Sequence, residues 1–514
     1  MVQANMAESN NKRIAKNMVF LYGRMLLVML VTLYTSRVTL KVLGVDDYGI
    51  YQTVGGVVTF LSFLSNALGT GTSRFLTFEM GKKKPRLSLL FATVRTAHIV
   101  LGLIIVVLGE IIGLWFIYNK LVIPADRLNA AVFAFHFSII ATFFQITQIP
   151  YNATLIAHED MNIYAYISIV EAVFKLAIVF LLQLFVFDLL EFYAALMCTT
   201  TVVILFIYRI YCRKKYPEVK GNLRFDRELF KGVASFSGWN LITSSAMSLA
   251  NQGVTIVTNM FFEPSVVTIR SLALRVNDII NTFIGNFRTA VNPQIVKKYA
   301  AKDYEASKKL ALESTKYTYY LMLIIVVPIL LLSEPLLKIW LDEVPDGLVP
   351  FVQIAVFQGL FQALDTSLYA PIFATGKIKE NALISPLFDF IQLPVVYGLF
   401  LLGYPPIVLA WVSAAACILL GVVVKPILVH KIVNYGYMEI KKVIGKCMAV
   451  TLLSSILPVV TAFMFDNMTV KGFIVILAAS LLSTGSVIWF AGLDKSARKM
   501  IRALVSEKFM KKRA

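Results

Sequence analysis

The sequence predicts an all-α polytopic membrane protein of about 14 transmembrane helices, two parallel-repeat six-helix bundles followed by two C-terminal helices. Three observations carry that prediction: an apolar composition, basic residues on alternate loops, and an internal repeat. Of 514 residues, 58% are hydrophobic and 15% charged, with a mean hydropathy of +0.74. A core folded in water cannot absorb that much apolar surface. Stretches of about 20 residues cross the roughly 30 Å hydrocarbon layer as helices, because lipid offers no partner to an unpaired backbone amide. Such stretches fall at 18–36, 48–70, 89–117, 129–150, 163–186, 190–210, 233–262, 265–287, 317–340, 349–374, 381–401, 405–424, 447–465 and 472–491.

Lysines and arginines between the spans set the orientation. If both termini are cytosolic, that side holds 38 of the 49 basic residues. The other side holds six (Arg37, Lys41, Lys120, Arg127, Lys338 and Lys471), counting Lys338 at its span's outer end, and five (Arg24, Arg95, Lys175, Arg270 and Arg275) lie deeper inside spans; Arg209, at a span's cytosolic end, is counted with the 38. The net charge of +19 is therefore mainly a topology signal, and no nucleic-acid partner is expected. Membrane lipid is the natural contact of the basic loops. The first stretch is long, contains Arg24 and lacks a small-x-small cleavage site, so it reads as a retained helix. Cys198, Cys212, Cys417 and Cys447 show no paired spacing, which predicts neither a disulfide framework nor a metal site. No cofactor motif occurs, and ATP-driven transport would need a partner protein.

The repeat appears at an offset of 217 residues. Residues 144–182 match 361–399 at ten of 39 positions, including Gln145/Gln362, Ser168/Ser385 and Leu176/Leu393. Apolar bias alone gives about four. An offset of six spans keeps both copies in the same orientation, so the repeat is parallel. The expected organisation is an N-terminal bundle (1–210), a basic cytosolic connector (211–232), a second bundle (233–430), and two extra helices with a basic tail (431–514). Parallel halves of this kind rock about a shared cavity in alternating access.

Charges inside spans mark functional candidates, because lipid makes them costly. In the eighth span Arg270, Asn277, Asn281 and Arg288 fall within about 20° of one line, with Arg275 and Asn286 some 140–160° away. Arg275 lies roughly 16 Å in from Pro264 at 1.5 Å per residue, near the midplane. The seventh span adds Asn240, Ser244, Asn251 and Thr258 within about 40° of one stripe. Arg24 sits about 10 Å from the cytosolic surface on a face shared with Asn17 and Thr35. Guanidinium groups keep their charge in a low dielectric and bind phosphate oxygens in bidentate fashion, so Arg24, Arg270 and Arg275 suit an anionic headgroup. The competing assignment is structural pairing with Glu110, Asp278 or a helix end. Asp365 and Asp389 lack a local partner and are candidates for a coupling proton or cation, with helix capping or interhelical hydrogen bonding as the alternative. Glu171 and Lys175, four residues apart, read as an intrahelical pair. His136 reads as a hydrogen-bonded packing residue. Tyr48, Tyr51, Trp115, Tyr118 and Trp340 fit an interfacial belt.

The stretch YTSRVTLKVLGVDDYGIYQTVGGVV from Tyr34 to Val58, followed by TSRFLTFEMGKKK at 72–84, resembles the polysaccharide-export branch of the multidrug/oligosaccharidyl-lipid/polysaccharide superfamily. These are the Wzx-type flippases of O-antigen and capsule units. The shared motifs are an LG-x-x-x-YG corner and a basic turn after the second span. The resemblance implies translocation of an undecaprenyl-diphosphate-linked glycan across the bacterial inner membrane, with polysaccharide polymerase or export proteins as candidate partners. Cavity arginines that hold the diphosphate recur in such flippases, and Arg24 stands where the first span would supply one. Arg270 and Arg275 rest on the helical-face argument alone. Two other classes stay open. A cation-coupled multidrug exporter of the same superfamily would want a carboxylate-centred site. A membrane glycosyltransferase or polymerase would want a sizeable outer loop, and the longest here is about 333–348.

Overall fold

Apolar stripes that face outward, with small residues turned inward, explain how this sequence builds its helices. The computed structural model describes residues 2–60, 63–80, 86–158, 160–184, 188–234, 252–341, 343–377, 379–495 and 497–499, and no strand occurs among them. The helices are α1 (Val2–Phe60), α2 (Phe63–Met80), α3 (Leu87–Asn119), α4 (Leu128–Ala157), α5 (Met161–Leu182), α6 (Leu189–Lys215), α7 (Val254–Phe261) and α8 (Pro264–Ala300). They continue as α9 (Tyr304–Leu331), α10 (Ser333–Leu341), α11 (Leu348–Thr375), α12 (Lys379–Leu401), α13 (Val408–Ile418), α14 (Lys425–Val433), α15 (Tyr437–Met464) and α16 (Val470–Val487).

Among the described residues 11 helices are long and apolar enough to cross a membrane, so the chain is a multi-pass membrane protein. Three of the expected spans need comment. The span at 48–70 contains residues 61–62, and most of 233–262 falls on 235–251; both segments lie outside the described residues. The span at 265–287 is helical as part of α8, but Arg270, Arg275, Asn277, Asp278 and Asn281 dilute its hydropathy. The ninth span is displaced: α9 ends at Leu331, and α10 occupies the stretch read as a loop. Asp303 caps α9 by accepting from the Ala306 amide at 3.2 Å, which starts the helix a full three turns before the apolar run.

Contacts divide the chain into one unit of Met1–Thr268 with Asp389–Pro406 and another of Ile269–Phe388 with Ile407–Ala514. In the first unit α4 packs against α1, α2, α3 and α6 around a core that includes Ile50, Val54, Ile117 and Phe135. On α3 the aliphatic residues Val100, Leu103, Ile104, Val107, Leu108 and Ile111 are exposed at helical spacing, whereas Gly102, Gly109 and Gly113 are buried. A Cβ on Gly113 would lie 2.0 Å from the Phe135 ring and one on Gly102 2.8 Å from Phe143. Small residues let the backbones approach while the oily stripe is left for lipid.

The LG-x-x-x-YG corner is a built joint within this unit. Gly44 breaks α1 with φ 80 and ψ 172, a region open in practice only to glycine. The freed carbonyl of Val45 accepts a hydrogen bond from Thr268 Oγ1 at 2.7 Å. Gly49 presses on α8, where a Cβ would meet the Pro264 carbonyl oxygen at 2.0 Å. Asp47 pairs with Arg127 at 2.5 Å, and Arg127 also holds Asp188 at 2.6 Å, while Asp188 caps α6 by accepting from the Leu190 and Glu191 amides. Because the chain turns into the bundle here, Tyr48 is buried and Tyr51 stacks edge-on against Tyr193, so neither belongs to an interfacial belt. Trp115 and Tyr118 are exposed as a belt requires.

The basic connector is docked along α3. Arg95 donates to the Gly221 carbonyl at 3.1 Å, Thr96 to the Arg224 carbonyl at 3.2 Å, and the Asp226 amide donates to Thr93 Oγ1 at 3.1 Å. His158 holds Glu218 at 2.6 Å from the end of α4.

In the second unit α9 packs against α11, α15 and α16, and α11 against α13 and α14. Leu452, Ile456, Phe463 and Leu482 face outward on the two C-terminal helices. Their ends are tied by Asp494, which pairs with Lys316 of α9 and, at 2.9 Å, with Lys446 of α15. The two ammonium groups hold the Asp494 carboxyl down to about 2.

Replacing Gly49 by alanine should cost about 1–3 kcal/mol through overpacking; a lower melting temperature on fluorescence-detected gel filtration would show it. Because the folded pKa of Asp494 lies below an unfolded value of about 3.9, its contribution is complete above about pH 4 and is lost as pH falls toward 2. The melting-temperature gap between wild type and Asp494→Asn should therefore be constant from about pH 7 to 5 and shrink below about pH 4.

Candidate functional site

Two groups of polar side chains stand out in the second unit, one around Lys425 and one on α8. The Lys425 group is neutralised within the protein. After α13 the chain widens into a π-helical stretch over Leu419–Val424, and Lys425 opens α14 directly behind it. Such stretches occur often at functional sites. Gly421 allows this segment to approach α11, since a Cβ there would lie 2.6 Å from the Phe361 carbonyl oxygen. The Lys425 side chain, 2% exposed, is thereby delivered among oxygens: Asp365 Oδ1 at 2.9 Å, Asn381 Oδ1 at 2.5 Å and Ser385 Oγ at 3.0 Å. The Tyr369 ring lies 5.6 Å from the ammonium. The contact with Asp365 is at ion-pair distance without hydrogen-bond alignment, and Oδ1 has no other donor among the described residues.

Sequence reasoning missed this cluster. Lys425 ended an apolar run and was counted among cytosolic loop charges, and its partners lie 40 to 60 residues upstream. The available signal was the Asn381/Ser385 pair at helical spacing, whose side chains do meet at 3.2 Å. Asp365, expected to have no local partner, finds its counter-charge on α14. Asp389, in the first unit, accepts a hydrogen bond from Gln392 at 3.4 Å.

The second group lies on α8. Asn277 is buried, and Asn281 donates both to Asn277 Oδ1 at 2.7 Å and to Gln362 Oε1 of α11 at 3.0 Å. Arg270, on the same stripe, is buried at 7% exposure. Asn277 and Asn281 are thus tied into helix packing within their own unit. Arg275 points elsewhere. It is half-buried, makes no hydrogen bond or ion pair among the described residues, and feels Asp278 only through longer-range attraction. Arg24 lies on α1, with its side chain outside the described residues, and Asn240 and Asn251 lie outside them altogether.

Other pairings follow the sequence. Lys175 donates to Glu171 at 2.6 Å along α5. Glu110 is held by His136 at 2.9 Å. Cys198, Cys212, Cys417 and Cys447 are not joined in disulfides.

Residues 14–298, more than half of the chain, match the model of a family described as polysaccharide biosynthesis protein. The chain belongs to that family. Its fold is similar to that of the lipid II flippase MurJ in an inward closed conformation, with a TM-score of 0.70 at 14% identity over 92% of this chain and 99% of that one. It is also similar to an inward-facing multidrug resistance MATE family transporter of the MOP superfamily, with a TM-score of 0.63 at 16% identity over 83% of this chain and 98% of that one. At these identities the likeness concerns the fold. No curated protein matches this polysaccharide-family chain in sequence.

Removing one partner of a buried ion pair strands the other. Asp365→Ala should cost roughly 3 kcal/mol, the lower end of the range for such pairs because Asp365 keeps some exposure. The double variant Asp365→Leu, Lys425→Met should recover most of that loss, as a double-mutant cycle on thermal stability would show.

Proposed function

We propose that this chain is a flippase carrying an undecaprenyl-diphosphate-linked oligosaccharide from the cytosolic to the outer leaflet of the bacterial inner membrane, for O-antigen or capsular polysaccharide assembly. The observation that carries this reading is Arg275, a half-buried guanidinium on a membrane helix with no hydrogen-bonded or ion-paired partner among the described residues. A lone cation in a low-dielectric setting is costly unless an anion visits it. A diphosphate supplies that anion with geometry matched to the guanidinium fork. Membership of the polysaccharide family and a flippase-like fold support the same substrate class. Arg24 and Arg270 are proposed as further contacts along the path, Asn277 and Asn281 as the packing that orients α8, and Asn240 and Asn251 as candidate lining. Transport proceeds by alternating access with both termini cytosolic, alongside the polymerase or export proteins that consume the product.

The charge inventory argues against a site for organic cations. Asp365, a carboxylate of the kind such a site would use, is already neutralised by Lys425.

Deleting the gene should leave the lipid-linked oligosaccharide on the cytosolic leaflet with drug sensitivity unchanged. New sensitivity to cationic compounds without such accumulation would favour a multidrug exporter. Arg275→Ala should abolish glycan export with normal amounts of membrane protein, and Arg275→Lys should retain part of it, because a point charge lacks the bidentate fork.

A further inference from the structure

We infer that the oxygen cage around Lys425 is a monovalent-cation site filled permanently by the chain's own ammonium. One carboxylate oxygen, one amide oxygen and one hydroxyl oxygen converge on Nζ at 2.9, 2.5 and 3.0 Å from two different helices. Oxygen donors of this kind replace the hydration shell of an alkali cation as readily as that of an ammonium. The aromatic face of Tyr369, 5.6 Å away, favours any cation in the same place. The cage carries one negative charge from Asp365, which matches one monovalent cation and no more. The nearby acid Glu380 is engaged separately by Lys431 at 3.6 Å.

The backbone is shaped to make this delivery. The π-helical stretch before Lys425 and the close approach at Gly421 bring the stem of the lysine through the packing to the oxygens. The head group cannot leave without its helix. A charge that an ion from solution would bring and take away is here covalently tethered, so this unit needs no alkali ion to neutralise Asp365. Removing the ammonium leaves a vacant, negatively charged oxygen cage, which a sodium or potassium ion can enter. The inference concerns the cage alone and holds whichever substrate the chain carries.

The test uses the purified full-length protein, with melting temperature followed as NaCl or KCl replaces N-methyl-D-glucamine chloride at constant ionic strength. Wild type should melt at the same temperature in all three salts. Lys425→Ala should melt lower and gain a saturable rise with Na+ or K+, since a ligand that binds only the folded state stabilises it by mass action. Adding Asp365→Asn to Lys425→Ala should abolish that rise. A Lys425→Ala protein indifferent to the cation, or a wild type that responds as strongly, would overturn the inference. If Lys425→Ala cannot be recovered, Lys425→Ser, which offers a fourth oxygen, takes the same titration. Failure of both in every salt, with Lys425→Ala, Asp365→Asn recovered, would show a cage that cannot accept a cation and would equally overturn it.

Discussion

Charge burial without water is the constraint on which the rest of this structure depends. Lipid neither solvates an ammonium nor completes a hydrogen bond, so each ionised group inside the helical layer has to be answered by the protein or by something that enters it. The second unit shows both answers. Lys425 is surrounded by Asp365, Asn381 and Ser385 and is fully accounted for. Arg275, one helix type and one chemical class away, has no such shell among the described residues. The distinction between a charge that holds helices together and one kept for a ligand is therefore drawn by neighbours rather than by residue type.

Much of the fold was legible because the physics that sets it is local. Span length, outward aliphatic stripes and inward glycines act within one helix, so most helices of the expected set appear near their predicted positions. The Glu171–Lys175 pair was readable for the same reason, one helical turn being a local distance. The failures have a common cause. Lys425 and Tyr48 were placed by their position relative to an apolar run, and both are buried because of what the chain does in three dimensions: a π-helical widening in one case and a glycine break in the other. Arg127, counted as an outer-loop charge, clasps Asp47 and Asp188 across 80 and 61 residues of sequence, separations that periodicity does not register.

For the site, the sequence supplied the candidate list and the structure redistributed it. Arg270, Asn277 and Asn281 share one helical line, yet Asn281 of that stripe is spent on Gln362 inside its own unit. Arg275, on the other face, makes no hydrogen bond or ion pair among the described residues. Helical-wheel arithmetic identifies which residues travel together. Packing decides which group meets the neighbouring helix and which remains available.

The tie at Asp494 reaches beyond local stability. It lies just past α16, so α15 and α16 are each fastened to α9 by a residue synthesised after nearly all of the membrane helices. During translation Lys316 and Lys446 are made before their shared counter-ion, so this tie closes only after α16 has been made. Losing that one carboxylate would leave every membrane helix in place and deprive Lys316 and Lys446 of their counter-ion at a single stroke, so the last-made fastener is also the one whose failure is shared by two elements.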